Sequence, residues 1–115
     1  MYATAMIAAL IIAVTTWYWV KLPSLCRGLP ANFSDAERAF RERIRAKFQL
    51  GMPETDMLRV LNAQGFGPPV TYNGSKGVTY SAFFFPCDVT WWVVWRADAN
   101  GRIREIDGSY GGTCP

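Results

Sequence analysis

Residues 90–110 read TWWVVWRADANGRIREIDGSY, two stretches rich in β-branched and aromatic side chains on either side of Asn100-Gly101. Asn-Gly between such stretches is a strong short-range hairpin signal, because both residues tolerate the positive φ of a type I′ turn. With these two as the turn residues, Ala99 opposes Arg102. The pairing that follows sets Trp95 against Ile106, Val93 against Gly108 and Trp91 against Tyr110 on one side of the ribbon. On the other side Arg96 opposes Glu105, Val94 opposes Asp107 and Trp92 opposes Ser109. A single register thus separates an aromatic core face from a charged face with a matched ion pair, and a slip of one residue destroys both.

Carried to the strand ends, the same register sets Cys87 opposite Cys114. Directly opposed residues hold their Cβ atoms about 4.5–5.5 Å apart, close to disulfide reach, so a Cys87–Cys114 bridge is expected. This count puts the pair at a hydrogen-bonded site, the wider of the two kinds. Upstream, Val70–Tyr72, a turn at Asn73-Gly74 and Val78–Phe85 continue the β pattern.

Before the strands come helix signals. Ser34-Asp35-Ala36-Glu37 fits a capping box, and Ala36, Phe40, Ile44 and Phe48 recur at helical spacing up to a stop at Gly51. Pro53 opens a second helix whose buried face is Met57, Leu58 and Leu61 and whose end is Gly65. The expected fold is α+β, with two helices packed on a three- to four-stranded antiparallel meander.

The N-terminal run Met1 to Val20 carries no charged side chain and closes on Trp17, Tyr18 and Trp19, followed by Lys21. Twenty helical residues span roughly 30 Å, and an aromatic belt followed by an amine suits a headgroup interface. Residues 1–21 are therefore expected to form a transmembrane anchor, with 22–32 as a tether and 33–115 as the small domain. A cleaved signal lacks its basic n-region and small cleavage-site residues here, and Pro23-Ser24-Leu25 before Cys26 is a poor lipobox. Lys21 and Arg27 after the run favour a cytoplasmic domain, whereas a persistent disulfide requires an oxidising compartment; the disulfide is given more weight. Cys26 is left over, either as a link between two chains or as an unpaired cysteine in the tether.

The chain has 115 residues, 50% of them hydrophobic, and no His, which removes Ser-His-Asp and Cys-His catalysis and most zinc sites. Its net charge of +3 includes Lys21 and Arg27 at the apolar run, so the domain itself is close to neutral and a poor partner for nucleic acid. Arg41, Arg43, Arg45 and Lys47 read as a solvated helix face with Glu37 paired to Arg41. The carboxylates fall at helix starts, turns and a polar strand face, and Gly108-Ser109-Tyr110-Gly111-Gly112 precedes no helix that could cradle a phosphate. No enzyme activity, cofactor or metal is expected. The surplus is aromatic: Trp92 and Val94 lie on the outer face of the sheet, joined by either Phe84 or the Phe83/Phe85 pair, and Phe84, Trp92 and Val94 are taken as the candidate protein-binding residues. An inhibitor or ligand-binding module would instead need a concave aromatic surface.

Phe48-Gln49-Leu50-Gly51-Met52-Pro53 leading into a helix, Trp91-Trp92-Val93-Val94-Trp95-Arg96-Ala97-Asp98, and Gly101-Arg102-Ile103 opening the last strand resemble the SmpA/OmlA (BamE-like) small outer-membrane assembly lipoproteins. The resemblance implies two helices on a β-meander in the bacterial envelope, acting by protein contact rather than catalysis. The resulting expectation is a single-pass inner-membrane protein with its C-terminal domain in the periplasm, binding another envelope protein. The alternative is a cytoplasm-facing membrane accessory protein.

Overall fold

The computed structural model describes residues 22–115. A 3-10 turn at Ser24–Cys26 precedes helices α1 (Phe33–Lys47) and α2 (Glu54–Ala63). Strands β1 (Val70–Tyr72), β2 (Ser75–Phe84), β3 (Cys87–Ala97) and β4 (Ile103–Thr113) follow as one antiparallel sheet in sequential order. Both helices pack on it. The expected N-terminal transmembrane helix, residues 1–21, is not among the elements of the described residues and lies outside them. The longer α-helix has 15 residues, and no helix among the described residues is long and apolar enough to cross a membrane. Trp17, Tyr18, Trp19 and Lys21, read as a membrane interface, lie outside the described residues.

The β3–β4 register is the one read from the hairpin, running from Asp88 opposite Thr113 to Arg96 opposite Glu105. Its turn, however, is different. Asp98 N–H donates to Arg102 O at 2.8 Å, and Asp98 Oδ1 accepts from the N–H groups of Asn100 and Arg102 at 2.9 and 3.0 Å. The aspartate therefore closes a loop of three residues, in which only Gly101 takes a positive φ, 74°. Ala97 then pairs with Ile103, and Arg104 is left over as a bulge before Arg96 meets Glu105. The longer loop and the extra residue cancel. The true two-residue turn with positive φ at both positions is Asn73-Gly74, at 50° and 79°. Between β2 and β3 the loop is Phe85-Pro86, joined by a cis peptide bond.

Moving the closing pair from Ala99 to Asp98 also exchanges the alternation of wide and narrow sites along the ladder. Cys87 and Cys114 are disulfide-bonded, with Cα atoms 4.2 Å apart. That is the spacing of a non-hydrogen-bonded pair, about 4.5 Å, rather than a hydrogen-bonded one, about 5.5 Å.

Helix α1 is capped two residues earlier than the capping-box reading has it, at Asn32 rather than Ser34. Asn32 Oδ1 accepts from the N–H groups of Ser34 and Asp35 at 2.8 and 3.3 Å, leaving Ser34 inside the first turn. Its stripe of Ala36, Phe40 and Ile44 is buried and lies against β4 at Gly108. A Cβ at Gly108 would stand 3.0 Å from Ile44 and 3.1 Å from Phe40, so the missing side chain is what lets helix and strand approach. Met57 and Leu61 of α2, Phe48, Phe66, Val78, Val89, Trp91, Val93, Trp95 and Ile103 complete the core.

Residues 22–32, expected to be a tether, are in part packed. Leu25 and Cys26 are 4% and 3% exposed and belong to the core. Arg43 Nη1 donates to the carbonyl oxygens of Ser24, Leu25 and Arg27 at 3.3, 2.9 and 2.7 Å. On the other side Gln64 Oε1 accepts from Leu25 N–H at 3.1 Å, and Gln64 Nε2 donates to Ser24 Oγ at 2.9 Å. A segment with no regular ladder of its own thus has its polar backbone satisfied by side chains of two helices.

Candidate functional site

Alternation along β2 and β3 sorts the aromatic side chains between the two faces of the sheet. Trp91, Val93 and Trp95 face the helices and are buried. Trp92 and Val94 face outward and are 38% and 40% exposed. Thr79 stands opposite Trp92, Gly77 opposite Val94, and Phe83 opposite Asp88. Phe83 therefore shares the face of Trp92. Phe84, assigned to that strip from the sequence, is on the other side: it packs edge-on to Trp91, with ring centroids 6.4 Å apart. The misassignment is one of parity, because Phe83-Phe84-Phe85 carries no marker of which ring points in until the Phe85-Pro86 loop is placed.

Two residues missed by the sequence reading complete the outer surface. Val70 and Tyr72 of β1 stand opposite Gly77 and Ser75 and are 68% and 76% exposed. Their alternation around Asn73-Gly74 was the available signal. With Trp92, Val94, Thr79 and Gly77 they line a groove of about 530 Å³. Gly77 keeps its floor low, since a Cβ there would come within 3.3 Å of Val94 Cγ1. The groove is largely uncharged. The one charged side chain in its lining, Lys76, directs its Nζ to the Glu54 carboxylate at 3.1 and 3.2 Å.

Glu54 anchors the first turn of α2 to the sheet. Besides Lys76 it accepts from Trp95 Nε1 at 2.7 Å, and its side chain is only 16% exposed. The indole hydrogen bond, together with the ammonium of Lys76, holds its carboxyl below the ordinary glutamate value despite burial. A carboxyl depressed in the folded state stabilises above the unfolded value, about 4.3, and that contribution is lost as pH falls through the folded value. Glu54→Gln is therefore expected to be less stable than wild type at neutral pH, with the gap closing below about pH 4. Urea midpoints of both proteins across this range check it; a gap independent of pH would refute the assignment.

The three arginines of the basic cluster on α1 are engaged within the domain. Arg41 contacts Glu37 at 3.2 Å and Asp107 at 3.0 Å, Arg45 contacts Asp107 at 3.5 Å, and Arg43 holds the 3-10 turn. The expected Arg96–Glu105 pair is present at 3.7 Å on an exposed surface, where such pairs contribute little. Burial pushes the Cys26 thiol up to about 12, against the opposing pull of the Arg43 guanidinium. A buried thiol of this kind can link two chains only after the segment around it opens. Among the described residues no group of three or more His, Cys, Asp or Glu is placed to hold a metal ion. No protein-family model, curated protein or solved structure matches the chain.

Proposed function

We propose that this is a non-catalytic protein-interaction domain of the bacterial cell envelope, membrane-associated and extracytoplasmic, whose outer sheet face receives an apolar segment of another envelope protein. The observation that carries the reading is the uncharged groove between the exposed Val70 and Tyr72 and the exposed Trp92 and Val94. Aromatic and aliphatic side chains held on a rigid sheet bind with little loss of conformational freedom. The Cys87–Cys114 bond supports an oxidising compartment. The concavity of the groove also favours a second reading, a module that takes a small apolar ligand or inhibits an enzyme through the same surface.

Trp92→Ser is expected to abolish partner capture while moving the unfolding midpoint by no more than a few degrees, as for other changes away from a packed core. A photoreactive residue at position 94, activated in intact cells, reports capture. Marked destabilisation by Trp92→Ser, or unchanged crosslinking, would refute the docking reading. Crosslinking to no protein, together with saturable uptake of a small apolar probe that Trp92→Ser removes, would select the second one.

A further inference from the structure

Four of the seven phenylalanines are exposed, and all four lie at one end of the domain. Phe83, Phe84 and Phe85 form the β2–β3 tip at 63%, 46% and 89% exposure, and Phe33, at 42%, packs over Gly112, two residues before the Cys114 that is bonded to Cys87. The tip segment Tyr80 to Pro86 carries no charge. Leu22, the first described residue, lines a small cleft of about 150 Å³ together with Phe84, Trp91 and Leu29. The chain therefore arrives at this same end, one residue, Lys21, after the twenty residues Met1–Val20 that contain no charged side chain.

We propose that the Phe83–Phe85 tip is a lipid-contacting surface that inserts into the headgroup and acyl boundary of a bilayer and holds this end of the domain against it. The inference rests on membrane association in the proposed function but uses a different face. The groove residue Tyr72 is at the opposite end of β2 from the tip, so docking at the tip leaves that end of the groove clear of the lipid. A two-residue turn with three adjacent rings buries apolar area at the acyl boundary, while the exposed carboxylate of Asp88, opposite Phe83, stays at headgroup level, as the polar groups of interfacial segments do. The Cys87–Cys114 bond next to the tip fixes the turn to the end of β4, so the rings enter lipid as one unit.

The test uses the full-length chain reconstituted in phosphatidylcholine vesicles. A nitroxide is attached at Phe85→Cys and, in a separate sample, at Tyr72→Cys, without reductant so that the disulfide stays closed; buried Cys26 does not react. The label at 85 is expected to collide with dissolved oxygen and to lose accessibility to a water-soluble nickel chelate, while the label at 72 stays open to nickel. Phe83→Ser is expected to restore nickel access at 85. Equal nickel access at 85 and 72 would overturn the proposal. Loss of both probes at 85 with spin broadening between chains would also overturn it, by showing a second copy on the tip. Neither result bears on capture at position 94, so failure here leaves the groove reading standing.

Discussion

Replacing Cys87 or Cys114 with serine is expected to cost about 3.5 kcal/mol, because the bond closes a loop across a sequence separation of 27 and so removes a large share of the unfolded chain's freedom. For a domain of this size that corresponds to a fall of roughly 15–25 °C in the unfolding midpoint. The bond joins the first residue of β3 to Cys114, just past the end of β4 at Thr113, where the ladder has no further pairs to hold the chain. Wild type treated with reductant should match the double serine variant in urea midpoint. A difference below about 1 kcal/mol between oxidised and reduced protein would show that the terminal ladder is held by packing alone.

Phe40→Ala is expected to cost about 3–5 kcal/mol, a large part of what a small domain has. Phe40 is fully buried on the stripe of α1 and lies where a side chain at Gly108 would otherwise be. Truncation leaves a void between α1 and β4 that a rigid helix on a sheet cannot collapse to fill. Gly108→Ala in the wild-type background should also destabilise, by crowding Phe40 and Ile44. The two changes touch the same space, so the double variant should be more stable than the sum of the singles. A double-mutant cycle in urea measures this coupling, and additivity within about 0.5 kcal/mol would refute the close contact.

The hairpin shows both how much can be read from residues and why reading stops. Alternating apolar and charged positions specify which residues share a face, since a slip of one residue would bury Arg96 and Glu105 or expose Trp91 and Trp95, and the Asn100-Gly101 turn limits longer slips. The turn is decided by a smaller effect, the Asp98 carboxylate competing for the amides of Asn100 and Arg102, and nothing in the alternation reports it. The register survives because Arg104 absorbs the added residue as a bulge. In the same way, helix α1 was visible from its stripe while its cap was not, because Asn32 and Ser34 both offer a side-chain oxygen near the first turn. Residues 22–32 look structureless in sequence. Their order comes from Arg43 and Gln64, which lie far along the chain and carry no local signal of that role. The candidate surface was legible in Trp92 and Val94, whose facing follows from the register, and illegible in Phe83 and Phe84, whose facing depends on the turn at Phe85-Pro86.

The grip of Arg43 on the 3-10 turn has a mechanical consequence. A tension delivered along the chain at Leu22 is met by three carbonyl oxygens held in one guanidinium and by two side chains plugged into the core, not by the strand ladder. The disulfide keeps β3 and β4 from being drawn out at their far end. Residues 22–32 are therefore the part that gives first, and fully drawn out they add at most roughly 40 Å of reach. The sheet and its outer groove keep their shape while that stretch is drawn out.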